Sequence, residues 1–239
     1  LHAHLHEKAR VLYISTEMRI EEMIERSLVI EAQVNYSSLR SRKITPFEER
    51  RLQSAQKRFQ ERAANTDLTF VHMNRPSIPE IESKLRQFQR GGGYDAVFID
   101  YLGIGKIRFP ANMENSENAQ ANAMYSAAED WKVTFDIPLV CGIQMNRNYE
   151  KRKGRRPVMT DLYYGTRAEQ AADFIGFIYH PAKVNKYFEG DPAELVVRKN
   201  RCGPGGDRMQ LLMDWEPEYL TFRSDDETSV HELGDEDES

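Results

Sequence analysis

Two apolar rhythms alternate along the first 144 residues. "VLYIS" (11–15) is a continuous apolar run of strand length, and after it Ile20, Met23, Ile24 and Leu28 recur at helical spacing. Thr45, Pro46 and Glu48 form the signature of a capped helix start with proline at its first position. "LTFV" (68–71) predicts the next strand, and Ser77 with Glu80 predicts the cap of the helix behind it. "DAVFID" (95–100) is again a strand. A helix carrying Met124, Ala127, Ala128, Trp131 and Phe135 on one face then leads into the strand "PLVCGIQ" (138–144). This alternation predicts an α/β fold with a mostly parallel, twisted sheet flanked by helices. From "FIGFIYH" (174–180) onward the rhythm shortens. "ELVVRKN" and "RMQLLMDW" are separated by turn residues, which predicts an antiparallel C-terminal extension on the same sheet.

With 239 residues, 40% of them hydrophobic, the chain can bury one large core or two small ones. No run approaches the roughly 18 to 20 apolar residues of a membrane span, and "LHAHLHEKAR" lacks the apolar core of a signal peptide, so no membrane partner is expected. Cys141 and Cys202 are the only cysteines, which fits a reducing cytoplasm and excludes a disulfide framework or a zinc spacing. The net charge of −5 conceals an asymmetry, because residues 224–239 hold eight acids and no Lys or Arg. The remaining body carries 33 bases against 30 acids, with six of the bases packed between Arg147 and Pro157. The expected organisation is one domain over 1–223 and an acidic, disordered tail over 224–239.

In an open parallel sheet, ligands sit outside the carboxyl ends of the strands. Glu17 falls just past the first strand, Asp100 ends another and Gln144 ends a third. The three suit phosphate chemistry: Asp100 to hold Mg²⁺, Glu17 to polarise a water, Gln144 to sense a terminal phosphate. The phosphate-cradling pattern G-x-x-x-x-G-K-[ST] occurs nowhere in the 239 residues. "GIGK" (103–106) has Asp100 where the pattern needs Gly and Ile107 where it needs Ser or Thr.

"VLYISTEM", "LRSRKIT", "YDAVFIDYLGI", "GIQMNR", "RRPVMTDL", "EQAAD" and "VVRKNRCGPGG" stand in the order and spacing of the C-terminal motor domain of DnaB-type hexameric replicative helicases, which the chain resembles from Val11 to Phe222. The resemblance implies a RecA-like fold, ATP hydrolysis with Mg²⁺ between the subunits of a homo-hexamer, and translocation on single-stranded DNA. It also implies a primase and a helicase loader as partners, and the cytoplasm of a bacterium or of a phage-infected host. The family's phosphate loop lies upstream of the segment resembling Leu1, so the chain is expected to be truncated on that side and inactive as an ATPase by itself.

Position by position, Glu17 resembles the catalytic base and Asp100 the magnesium-binding aspartate. Arg26 is similar to a residue packing near the nucleotide base, and Gln144 to the link between the terminal phosphate and the DNA loops. Lys199 and Arg201 resemble the basic pair that reaches a neighbour's ATP, with Arg201 as arginine finger. The segment from Met145 to Thr160 resembles a central DNA-binding loop, in which Arg147, Lys151, Arg152, Lys153, Arg155 and Arg156 can neutralise phosphates without reading bases. "DLYYGT" departs from the family's polar "DLRESG"-like stretch. Tyr163 and Tyr164 there stack on bases or pack on a neighbouring subunit, and Gly165 and Thr166 keep backbone contacts available. Two alternatives remain open: a non-catalytic single-strand-binding or ring-forming subunit that has lost its phosphate loop, and a RecA- or clock-type ATPase.

Overall fold

The computed structural model describes residues 9–64, 68–146, 156–181, 192–203, 209–223 and 230–232. The chain divides into two compact units, Leu1–Gln144 and Met145–Ser239.

In the first unit, strands β1 (Val11–Ser15), β2 (Leu68–His72), β3 (Ala96–Asp100) and β4 (Leu139–Cys141) form one parallel sheet in the order β2-β1-β3-β4. Helices α1 (Ile20–Ala32), α2 (Tyr36–Arg40) and α3 (Pro46–Ala64) connect β1 to β2, α4 (Ile78–Arg90) connects β2 to β3, and α5 (Glu117–Phe135) connects β3 to β4. Parallel neighbours need such crossovers, which explains the alternating rhythm of the sequence.

Residues in register share a face of the sheet. Val11 and Leu68 pack with Phe59 of α3, and around them lie Ile24 and Leu28 of α1 together with Phe70 and Phe98. On the opposite face Leu12, Ile14, Val97 and Ile99 are fully buried, and α4 and α5 bury Ile81, Leu85, Met124 and Trp131. Both predicted helix starts hold. The Glu48 carboxylate accepts from the Thr45 N–H and hydroxyl, and that of Glu80 accepts from the Ser77 N–H and hydroxyl. Arg108 then binds both oxygens of Glu80, at 2.9 Å each.

The second unit holds helix α6 (Gly165–Ala171) and five antiparallel strands: β5 (Phe174–Tyr179), β6 (Ala193–Asn200), β7 (Met209–Glu216), β8 (Thr221–Arg223) and β9 (Val230–Glu232). This corrects one expectation. Among the described residues β4 pairs only with β3, and β5 pairs only with β6, so the antiparallel strands form a sheet of their own instead of extending the parallel one. Alternation reveals which face a strand buries; it carries no information about its neighbour. Within the stretch read as a tail, Val230–Glu232 pair with Met209–Leu211, while 224–229 and 233–239 lie outside the described residues.

Candidate functional site

The sheet order reverses direction between β1 and β3: the chain goes from β1 outward to β2, then returns to the other side of β1 with β3. A crevice opens at the carboxyl ends of strands that diverge in this way. Asp100 is the last residue of β3 and Glu17 lies two residues past the end of β1. Gln144 lies three residues past the end of β4, on the same side, and is exposed. The sheet thus gathers at one edge three polar residues that are far apart in sequence.

The crevice is held by a network among its own residues. Thr16, 3% exposed, donates its hydroxyl to the Tyr101 carbonyl at 2.9 Å and accepts from the Tyr101 N–H at 3.2 Å. Its backbone N–H donates to the Asp100 carbonyl at 2.9 Å. The Ser15 hydroxyl accepts from the N–H groups of Glu17 and Met18, fixing the turn that presents Glu17. The Glu17 carboxylate projects outward and meets Lys106 Nζ at 3.5 Å; that ammonium also lies 5.5 Å from the centre of the Tyr101 ring. The Tyr13 hydroxyl donates to Asp100 Oδ2 at 2.6 Å. Arg26 is half-exposed and pairs with Glu22 one turn earlier, at 2.9 Å.

Among the described residues no three His, Cys, Asp or Glu side chains cluster as a metal cage. Mg²⁺ needs none, since it keeps several waters and is bound through one or two carboxylates plus phosphate oxygens. Asp100 fits that role: Oδ2 is engaged by Tyr13, and Oδ1 faces Gly142, where the missing side chain leaves room.

In the second unit the two stems of the expected DNA loop are pinned together. Met145 bridges Leu162, the Asn146 N–H donates to the Asp161 carbonyl at 2.8 Å, and the Asn146 amide donates to the Thr160 carbonyl at 2.8 Å. Buried Asp161 accepts from the Val158 N–H at 2.8 Å. These contacts join 145–146 to 158–162, while Arg147, Lys151, Arg152, Lys153 and Arg155 lie outside the described residues. Arg156, the last base of the expected DNA-binding run, has partners within the second unit. It is mostly buried, its guanidinium paired with Glu194 and 5.7 Å from the centre of the Tyr179 ring.

Tyr163 and Tyr164 form an edge-to-face pair, centroids 4.9 Å apart, immediately before α6. Gly165 opens that helix where a Cβ would stand 2.9 Å from the Met159 carbonyl oxygen and 3.0 Å from Leu162 Cβ, so only glycine fits; Thr166 beside it is exposed. Lys199 Nζ donates to the Glu169 carbonyl. Arg201 is half-exposed and pairs with Asp173 at 2.5 Å, while its N–H donates to the Asp173 carbonyl at 2.8 Å.

Sequence reasoning missed Tyr13 and Lys106. Tyr13 looked like one more strand residue, and only the adjacency of β1 and β3 brings its hydroxyl to Asp100. Lys106 was visible as the end of "GIGK", yet its spacing excluded a phosphate loop and nothing linked it to Glu17.

The chain matches the DnaB-like helicase C-terminal domain family over residues 1–224. A curated relative, the replicative DNA helicase DnaB of Mycoplasma pneumoniae, is 24% identical over 223 residues, which cover 89% of this chain and 45% of the relative. The DnaB of Geobacillus stearothermophilus is 28% identical over 201 residues, covering 82% of this chain and 42% of its own length. The chain therefore spans less than half the length of these relatives. Among solved structures, a DnaB-like replicative helicase described with its interactions with primase superposes with a TM-score of 0.79 at 26% identity, covering 90% of this chain and 50% of that one.

Proposed function

The chain belongs to the DnaB-like helicase C-terminal domain family, and from this premise we propose that it is the motor domain of a replicative DNA helicase, coupling ATP hydrolysis to movement along single-stranded DNA. The observation that carries the reading is the set Glu17, Asp100 and Gln144 at the carboxyl ends of β1, β3 and β4, beside the reversal of strand order. Motor domain 1–223 and acidic segment 224–239 are the proposed organisation, with ATP as substrate and a homo-hexamer as the working form. Since the structurally similar DnaB-like helicase interacts with primase, primase is proposed as a partner here, together with a loader.

Within the site, Glu17 orients and polarises the attacking water, and Lys106 holds its carboxylate at the mouth of the crevice until phosphate oxygens compete for the ammonium. Asp100 offers Oδ1 to the hydrated metal. Bound Mg²⁺ would supply charge neutralisation on the phosphate oxygens. Gln144 contacts the terminal phosphate, one residue before the pinned stems of the DNA loop. Arg26 packs at the base, and Lys199 with Arg201 reaches the site of the adjacent subunit once Arg201 leaves Asp173. Arg147, Lys151, Arg152, Lys153 and Arg155, with the Tyr163–Thr166 turn, contact the DNA backbone. Arg156, held by Glu194, adds its charge at the edge of that path.

The test is strand-stimulated ATP hydrolysis by the natural protein, with E17Q, D100N and R201A variants. Each is expected to lose turnover, and R201A by about 10³-fold or more, the scale of an arginine finger. Mixing R201A with E17Q subunits restores part of it if Arg201 acts across the interface. Undiminished single-strand binding in a protein that never turns over ATP would instead establish a non-catalytic ring subunit.

A further inference from the structure

We infer that Tyr13 is a positioning residue for divalent-cation binding: its hydroxyl locks the Asp100 side chain so that one carboxylate oxygen, Oδ1, is presented to the metal. The inference rests on the reading of Asp100 as the metal aspartate and goes beyond it.

Tyr13 is in register with Phe98, and Ser15 is in register with Asp100. The phenol therefore reaches two residues forward along the neighbouring strand, about 6.6 Å at roughly 3.3 Å per residue. A phenol is long enough to span that interval, and its O–H ends 2.6 Å from Asp100 Oδ2. Aromatic neighbours flank the ring on both sides. Phe70 on β2 meets it edge-on at 5.8 Å, and Phe98 on β3 stacks on it at 6.2 Å with planes 13° apart. Three adjacent strands thus contribute one aromatic row whose central member carries the hydrogen-bond donor. A carboxylate oxygen only accepts, so in this contact the phenol O–H is the donor.

The other side of Asp100 is left open. Among the described residues no donor reaches Oδ1. Gly142, just past β4, stands where a Cβ would be 3.6 Å from Oδ1 and 3.3 Å from Tyr101 Cβ. One oxygen is fixed and its partner unobstructed, so Asp100 meets a hydrated cation through a single oxygen. Outer partners that orient a metal-binding carboxylate typically contribute 10- to 100-fold in affinity.

The experiment titrates Mn²⁺ into the protein and follows the loss of the free-ion electron paramagnetic resonance signal, with Y13F, D100N and G142A variants beside the wild type. Y13F removes only the O–H and keeps the aromatic row, so its melting temperature stays within a few degrees of wild type. Its Mn²⁺ dissociation constant is expected to rise by about tenfold. G142A leaves Tyr13 intact and places a methyl carbon in van der Waals contact with Oδ1, on the side a hydrated cation would approach, so it is expected to weaken binding as well. Binding that D100N abolishes and Y13F leaves unchanged overturns the role of Tyr13 while the Asp100 reading survives. Mn²⁺ binding that D100N does not weaken, or no saturable binding at all, overturns both.

Discussion

Thr16 joins the two strand ends that carry Glu17 and Asp100, and replacing it by valine tests whether that clip organises the crevice. Valine matches threonine in shape, so T16V deletes the hydroxyl without opening a cavity. Two hydrogen bonds are lost, to the Tyr101 carbonyl and from the Tyr101 N–H, at a position 3% exposed. Each bond is worth about 1 kcal/mol net, and stranded buried backbone groups add a desolvation penalty, so a destabilisation of about 2–4 kcal/mol is expected. T16S keeps the hydroxyl and loses a methyl group, a cost of about 1 kcal/mol. Urea unfolding followed by Trp131 fluorescence, with Trp215 replaced by Phe, reports on the first unit alone because Trp131 is buried in α5 and Trp215 lies in β7. The midpoint should fall at unchanged slope, which marks a change in stability and not in compactness. A loss below about 0.5 kcal/mol, or equal losses for T16V and T16S, refutes the clip.

Gly165→Ala forces a Cβ to within 2.9 Å of a carbonyl oxygen, so a loss of about 1–3 kcal/mol is expected in thermal or urea unfolding of the second unit. Hydrogen bonds from Ser77, then the charge of Arg108, hold the Glu80 carboxyl below its usual range. A depressed folded-state pKa contributes stability that is present above the unfolded value and is lost as pH falls through the folded one. The stability difference between wild type and E80Q, measured by urea unfolding at stepped pH, should therefore shrink on acidification below about pH 4. Burial pushes the Cys141 thiol up to about 12, whereas Cys202 is exposed. With a disulfide reagent at pH 8, Cys202 should react rapidly and the half-buried Cys141 more slowly, since its raised pKa leaves little thiolate; equal rates would contradict the shift. Asp173→Asn frees the Arg201 guanidinium from its ion pair, and should raise Arg201-dependent turnover in the assembled protein if that pair competes with the trans role.

The strands of the first unit and its longer helices were legible in the sequence because each is specified locally, whereas the short α2 (Tyr36–Arg40) gave no periodic signal. The apolar run of β1, the helical spacing of α1 and α5, and the capping residues before α3 and α4 all act within a few residues of one another. The positions of Glu17, Asp100 and Gln144 at strand ends follow from the same signals. Strand order did not. That β1 lies between β2 and β3, and that the antiparallel strands close on themselves, depends on contacts between distant segments that no local pattern encodes. The same limit hid the working details of the site: the Tyr13 hydroxyl on Asp100 spans 87 positions of sequence, and the Thr16 clip to Tyr101 spans 85. It also hid the partner of Arg156, one more base in a charged run until the fold set it against Glu194, 38 positions later. Residue type and spacing determine which groups can do phosphate chemistry; register between strands decides which of them meet, because a side chain's partner is set by the neighbouring strand and not by its neighbours in the chain.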